Sequence, residues 1–307
     1  MTRATIAIPC FNAVQWIAQC VQSALDQTWA DKETIVVDDG STDGSLAVLE
    51  NFGDKIRLIR TEHRGGNHAR NAALHAATGE WIQFLDADDF LLPEKIARQL
   101  AEAANADADC IFSPVLFDQD GRRTAQEIDA TRDPTTLWLA WQLPQTGGNL
   151  WRRSALEKIG GWNEAMPCLQ DCELHLRAIQ AGLRFCFAPT PGAVYRVWSE
   201  ETLCRKDPRK IIELRTELYR GFIAWLRERN QLAGKHLALA GRACFEMART
   251  LAKFDPASAA RYHDARQREQ LIHVAGPAAP LSYRTADRAF GFSFAEKLAS
   301  TLRRRAA

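Results

Sequence analysis

The stretch Trp81-Ile82-Gln83-Phe84-Leu85-Asp86-Ala87-Asp88-Asp89 constrains the chain more than any other. A mostly apolar run reads as a buried strand and ends in three carboxylates within four positions. Core packing gives no reason for such an ending, because like charges this close repel unless a positive group lies between them. A divalent cation carrying a phosphorylated substrate meets that need, since hard cations take oxygen ligands. A solvated acidic loop or a helix N-cap is the plainer alternative.

The same strand-then-polar pattern recurs upstream. Residues 4–8 are a short apolar run stopped by Pro9, and residues 34–37 run into Asp38-Asp39-Gly40. Residues 56–59 read as a third strand and residues 109–117 as a fifth. Between them, Ile17, Cys20, Val21, Ala24 and Leu25 recur at helical spacing, as do Leu46, Val48 and Leu49. Residues 69–77 are Ala-rich and helical, with Gly79 behind them, and Pro93 opens another helix. This alternation predicts an α/β fold, a mostly parallel sheet with helices on both faces. Ligands bind such sheets beyond the carboxyl ends of the strands. Those ends carry Pro9-Cys10-Phe11-Asn12, Asp38-Asp39 and the acidic triplet.

Residues 118–148 are less regular and contain Trp138, Trp141 and Pro144. Residues 149–151 read as a strand, Ser154 as the cap of a short helix stopped at Gly160-Gly161, and residues 169–181 as a helix ended by Gly182. Residues 183–187 and 193–197 read as strands. Beyond about residue 205 strand signals vanish, and residues 211–229, 237–254 and 257–270 are helical. The tail carries Phe290, Phe292 and Phe294, then Lys297, Arg303, Arg304 and Arg305. It reads as an amphipathic segment lying on anionic lipid or as an ordinary docked helix with a basic end.

At 307 residues the chain can bury a full core, and 46% hydrophobic with 25% charged residues is ordinary globular composition. A net charge of +1 gives no bulk field toward nucleic acid, so no nucleic-acid partner is expected. Eight cysteines are scattered through apolar or helical contexts, and Cys168 and Cys172 have no second Cys/His pair to complete a zinc site. No secretory leader is recognisable and no apolar run approaches the roughly 20 residues of a spanning helix. A cytoplasmic protein with reduced thiols is the expectation, with peripheral contact on the inner face of the membrane if the tail binds lipid.

In order and spacing, several motifs together resemble glycosyltransferase family 2, inverting enzymes with the GT-A fold. They are Ile8-Pro9-Cys10-Phe11-Asn12, Val36-Val37-Asp38-Asp39-Gly40-Ser41-Thr42-Asp43-Gly44-Ser45, Ala69-Arg70-Asn71 with Ala77-Thr78-Gly79-Glu80, and Phe84-Leu85-Asp86-Ala87-Asp88-Asp89. Trp151-Arg152-Arg153-Ser154-Ala155-Leu156, Ile159-Gly160-Gly161-Trp162-Asn163-Glu164 and Asp171-Cys172-Glu173-Leu174 with Arg177 follow. The resemblance covers about residues 3–200. It implies a Rossmann-like GT-A sandwich over residues 1–204, with a nucleotide-binding half at about 1–117 and an acceptor half at about 118–204. Residues 205–307 form the helical C-terminal appendage.

The resemblance also implies roles. Pro9, Phe11 and Asn12 border the nucleotide, with the Phe11 ring stacking on the base; a core Phe is the alternative. Asp39 would accept from the imide N–H of a uracil, or serve only its own turn. Arg70 lies near the nucleotide, where a guanidinium suits phosphate or an acidic partner. Asp88 would bind Mn2+ or Mg2+, with Asp86 nearer the ribose or a metal-bound water, and Asp89 supporting the site or capping the next helix. Asp171 matches the catalytic base; Glu173 is the second candidate, and an N-cap is the structural alternative for Asp171. The family has Glu-Asp where this chain has Gln170-Asp171, and losing the acidic neighbour should lower the Asp171 pKa modestly. His63 stands where the family often has Asn, and Trp198 where it often has His. A metal-bound His is therefore not expected, and Trp198 would line a sugar pocket. Trp138, Trp141, Trp151 and Trp162 are candidates for sugar stacking, although large aromatics are more often core.

The function implied is metal-dependent transfer of a sugar from a nucleotide-diphosphate donor, UDP-linked by expectation, to a glycan or lipid-linked hydroxyl in cell-surface polysaccharide synthesis. A non-catalytic nucleotide-sugar-binding protein of the same fold is the alternative outside enzymology. A nucleotidyltransferase needs a Gly-rich basic loop after the first strand, and a dinucleotide oxidoreductase needs GxGxxG there. Pro9-Cys10-Phe11-Asn12 fits neither.

Overall fold

A computed structural model describes residues 2–197 and 207–306. The first half alternates as expected: β1 (Ala4–Cys10), α1 (Ile17–Leu25), β2 (Lys32–Asp38), α2 (Ser45–Glu50), β3 (Arg57–Arg60), α3 (Gly66–Ala76) and β4 (Trp81–Phe84). Then come β5 (Phe90–Leu91), α4 (Lys95–Glu102), β6 (Cys110–Phe112), β7 (Val115–Gln119), β8 (Arg122–Ala125) and α5 (Pro134–Leu139). These lead to β9 (Asn149–Arg152), α6 (Arg153–Lys158), α7 (Gln170–Gln180), β10 (Phe185–Phe187) and β11 (Ala193–Arg196). The C-terminal part is helical: α8 (Pro208–Glu228), α9 (Gly234–Leu251), α10 (Pro256–Arg268), α11 (Leu281–Phe290) and α12 (Phe292–Ala306).

Seven strands pair in the order β10-β6-β9-β4-β1-β2-β3. Every pair is parallel except those of β9, which runs antiparallel to β4 and β6. Continuous apolar runs suit strands covered on both faces: Ile6, Ala7 and Ile8 of β1 and Ile35, Val36 and Val37 of β2 are fully buried. Ile17, Cys20, Val21 and Ala24, one face of α1, complete that core, and burying Ile17 or Val21 contributes about 1.5–3 kcal/mol each. Gly79 lets the turn into β4 press on β1. A Cβ there would lie 2.6 Å from Thr5 Oγ1, whereas the Gly79 N–H donates to that oxygen at 3.0 Å.

The single strand predicted over residues 109–117 is two, in two different sheets. Pro114 has no N–H to give a ladder, so β6 stops and β7 joins a four-stranded sheet, β5-β11-β7-β8. Ser154 is not a cap either, because α6 begins at Arg153 with Arg152 preceding it. Nor is Asp171 the N-cap of its helix: Leu169, at φ 56°, precedes α7, and Asp171 lies in the first turn.

A buried polar layer fixes α7 against the sheet. His175 lies one turn beyond Asp171, its Nε2 3.1 Å from Asn149 Oδ1 of β9, and burial pushes its pKa down to about 3, so it stays neutral. Lys95 is buried nearby, its Nζ 3.5 Å from the Asn149 carbonyl, and desolvation holds its pKa well below the usual lysine value. Gln99 Nε2 donates to the Gly148 carbonyl at 2.9 Å and to Ser113 Oγ at 3.1 Å. These bonds satisfy groups that would otherwise be buried without partners.

Of the described residues, 2–134 and 142–197 form one compact unit, and 135–141 with 207–306 the other. Within the second, Trp138 packs on Tyr219 and Phe222 at 4.9 and 4.8 Å between ring centroids. The Tyr219 hydroxyl donates to the Leu139 carbonyl at 2.9 Å. Phe245, Ala259, Tyr283, Phe292 and Ala295 form a separate core there. Among the described residues, no helix is long and apolar enough to cross a membrane.

Candidate active site

The acidic tip of β4 is not left to repel itself. Arg70 of α3 is buried, and its Nη2 lies 2.6 Å from Asp86 Oδ1. Its Nη1 donates to Gln170 Oε1 at 2.9 Å and to Asn67 Oδ1 at 3.0 Å. The guanidinium lies over the Trp162 ring, 4.7 Å from its centroid. One charged group thus joins the β4 tip to the first turn of α7. Asp89 is buried, and its Oδ1 accepts from the Arg196 N–H at 2.9 Å. Burial, then the charges of Asp88 and Asp86, push the Asp89 carboxyl well above the ordinary range.

Arg196, closing β11, is a residue the sequence reading missed. Its guanidinium lies 4.8 Å from the Trp16 ring and 4.7 Å from the Phe90 ring. It donates to the Asp88 carbonyl and to Gln19 Oε1. A lone Arg at a strand end gave no signal of partners more than 100 residues away in sequence. Asp88 is half-buried at the same tip. Among the described residues no three His, Cys, Asp or Glu side chains are grouped to enclose a metal ion. The oxygen-only chemistry of this tip nevertheless fits a hard cation that takes one or two carboxylates and completes its shell with substrate phosphate and water.

The ends of β1 and β2 are tied to each other. Pro9 pairs in register with Val37. Asn12 has φ 48°, a conformation Asn tolerates. Its N–H donates to Ser41 Oγ at 3.1 Å, and its Oδ1 accepts from the Thr42 N–H at 2.8 Å. The Asn12 side chain therefore serves the protein's own loop. Phe11 is 43% exposed, so it is not a core Phe. Its ring stacks on His63, centroids 3.9 Å apart and planes 22° apart. Asp39 is buried: Oδ1 accepts from the Arg64 N–H at 3.0 Å and Oδ2 from the Gly65 N–H at 2.7 Å. His63 Nδ1 lies 2.9 Å from that Oδ2. Asp39 thus anchors the loop between β3 and α3.

Asp171 is half-buried, and its Oδ1 accepts from the Cys172 N–H at 2.8 Å. Burial pushes its carboxyl above the ordinary 3.8; the Cys172 N–H opposes this, the charge of Asp86 adds to it, and the charge of Arg70 opposes it. The modest lowering expected from Gln170 is outweighed by desolvation. Gln170 instead accepts from Arg70, which places Asp171 within the electrostatic reach of Asp86. Glu173 is engaged in an ion pair, Arg177 Nε lying 2.7 Å from its Oε1 and Arg177 Nη2 2.9 Å from its Oε2, which makes it the weaker base of the two. Trp198 lies outside the described residues. Trp138, Trp151 and Trp162 are core, each at most 3% exposed, which removes them as sugar platforms; Trp141 lies under the Arg215 guanidinium, 4.2 Å away.

Comparison with known proteins agrees with this architecture. Chondroitin synthase of Escherichia coli is 40% identical over 187 residues, 58% of this chain and 26% of that protein. The chain spans 26–60% of the lengths of such curated relatives. The structure of S. aureus TarS 1-349 in complex with UDP-GlcNAc matches at a TM-score of 0.62 and 18% identity, over 88% of both chains. That of the mannosyltransferase PcManGT from Pyrobaculum calidifontis in complex with GDP-Man and Mn2+ matches at 0.55 and 18%, over 98% of this chain and 86% of that one. These likenesses show the GT-A fold, as the sequence motifs predict. The sequence model of the family "Glycosyl transferase family 2" matches residues 5–160, half of the chain, and the chain belongs to that family.

Proposed function

We propose that the protein is an inverting glycosyltransferase. It moves one sugar from a nucleotide-diphosphate donor, UDP-linked, to a hydroxyl of a growing glycan or lipid-linked acceptor in polysaccharide synthesis. The observation that carries this reading is the Asp86–Arg70–Gln170 bridge, which gathers the acidic tip of β4 and the Asp171 turn of α7. Asp171 takes the proton of the acceptor hydroxyl as that oxygen attacks the anomeric carbon. The bond from that carbon to the diphosphate oxygen breaks on the opposite face, so the sugar's configuration inverts. Asp88 would hold Mn2+ or Mg2+, which when bound neutralises charge on the departing diphosphate. Arg70 orients Asp86 toward the donor, Asp89 and Arg196 brace the tip, and Pro9, Phe11, Asn12 and Asp39 shape the base slot. The chondroitin synthase relative supports a polysaccharide product. The UDP-GlcNAc and GDP-Man complexes of the fold neighbours support a nucleotide-sugar donor. The Mn2+ of the latter supports the cation.

The test is a thermal-shift panel of UDP-, GDP- and dTDP-sugars with and without Mn2+. A UDP-sugar with Mn2+ should stabilise the protein by about 2.7 kcal/mol at a hundredfold excess over Kd, and the Asp88→Ala protein should lose the Mn2+-dependent part. Equal Mn2+-dependent shifts in both proteins would take the cation away from Asp88.

The proposal includes a peripheral contact of the C-terminal helices with an anionic bilayer. Phe294, Leu298 and Leu302 recur every fourth residue along α12 and are 45, 42 and 54% exposed. Phe290, 67% exposed, extends the stripe and meets the Phe294 ring at 4.6 Å. Residues 281–307 carry six basic and two acidic side chains, a charge of +4 that leaves −3 over the rest of the chain. An apolar stripe on a basic helix matches the acyl boundary below anionic headgroups. A second copy of the chain would instead bring the same positive charges face to face. Co-sedimentation with phosphatidylglycerol–phosphatidylcholine vesicles should be strong, and weak with phosphatidylcholine alone. The Phe294→Ser/Leu298→Ser protein should bind at least about tenfold more weakly. Equal binding by that variant, or loss of a dimer without any vesicle dependence, would remove the bilayer as the partner.

A further inference from the structure

His63 holds two contacts that a nucleobase would need. Its imidazole stacks on the Phe11 ring at 3.9 Å and nearly parallel. Its Nδ1 lies 2.9 Å from Asp39 Oδ2, a hydrogen-bond distance. A flat nitrogen heterocycle lying on Phe11 with a ring nitrogen against the Asp39 carboxylate is also the description of a bound pyrimidine. The loop that carries His63 is drawn in closely. The Nδ1 is 3.1 Å from the Asp39 carbonyl as well. Gly40, at φ +75°, has room for the His63 backbone only because it lacks a side chain: a Cβ there would lie 3.0 Å from the His63 nitrogen. The Arg64 and Gly65 N–H groups on Asp39 hold the loop in place from the other side. The imidazole itself remains 54% exposed at its side chain, so it is free to turn outward without disturbing the core.

We infer that the His63 ring is an internal competitor for the nucleobase slot, and that donor binding requires it to leave Phe11 and Asp39. This rests on the proposed reading of Phe11 and Asp39 as the base site. It makes His63 a determinant of donor affinity that neither touches the sugar nor takes part in the chemistry. Binding competence is then limited to the fraction of molecules with the ring displaced, and the apparent Kd exceeds the intrinsic one by the reciprocal of that fraction. A stacked aromatic pair is strong enough to set such a fraction at several-fold.

Titration calorimetry of UDP with Mn2+ on three proteins decides the matter. Truncation in His63→Ala removes the competitor and should lower the Kd by about two- to tenfold. His63→Phe keeps a ring on Phe11 and should bind no tighter than the parent. Unfolding temperatures check that each variant keeps the fold. A Kd for His63→Ala that is unchanged or higher overturns the inference, the higher value meaning that the imidazole helps to hold the base. Absence of UDP binding by all three proteins overturns the nucleotide-site reading itself, which is a separate failure.

Discussion

The Asp171→Asn protein is expected to transfer sugar about 10²–10⁴-fold more slowly than the parent, with its donor affinity intact. The substitution keeps the size and the acceptor oxygen of the side chain but removes the carboxylate proposed to take the acceptor's proton. Stability should not fall with activity. The folded-state pKa of Asp171 is raised above its ordinary 3.8, chiefly by burial, so the ionised form is disfavoured in the fold. That sign makes stability decrease as pH rises through the window between the ordinary and the raised value. A neutral amide escapes the penalty, and chemical denaturation at neutral pH should find the variant as stable as the parent or more so. The same raised pKa sets the parent's pH profile: transfer should fall as acid protonates the base, with the midpoint above 3.8.

The Arg70→Ala protein is expected to suffer in both respects. Arg70 is buried, and Asp86, Gln170 and Asn67 all accept from it. Removal takes from Asp86 its guanidinium partner, leaving Arg196 as the cation at the tip, and costs about 2–4 kcal/mol in urea unfolding. Transfer should drop by about 10²-fold beyond any loss through unfolding, because the Asp171 turn is no longer drawn to the β4 tip. The Arg70→Lys protein separates charge from geometry. An ammonium keeps the positive charge, but it cannot reach three acceptors from one planar fork. Recovery of most of the stability with little of the activity is the expected result; full recovery of activity by lysine would reduce Arg70 to a point charge.

The rim of the site is legible in the sequence because doubly covered parallel strands must be apolar, so any carboxylate at their tips stands out. Asp39, Asp86 and Asp88 are visible in that way, whereas Asp171, in the first turn of α7, is picked out only by the resemblance of its motif. Their partners are not, because pairing joins residues far apart along the chain: Arg70 to Gln170, and Arg196 to Asp89. Nothing local marks an arginine as facing inward. The antiparallel insertion of β9 is hidden for the same reason, since its register with Trp81 and Ile82 is tertiary. The break of β6 from β7 was readable, because Pro114 stands in the middle of the run. The Glu173–Arg177 pair was also readable from its i,i+4 helical spacing, and it favours Asp171 over Glu173 as the proposed base. The Asp171 pKa shows the limit of reading neighbours alone, since burial outweighs the loss of an adjacent charge.

The proposed division of labour, the β4 tip for the donor and Asp171 for the acceptor, is tested most directly by donor titration into the Asp171→Asn protein. UDP-sugar with Mn2+ should bind it with the parent's Kd while transfer is lost. Loss of donor binding together with transfer would contradict the account, because it would place Asp171 on the donor side of the reaction.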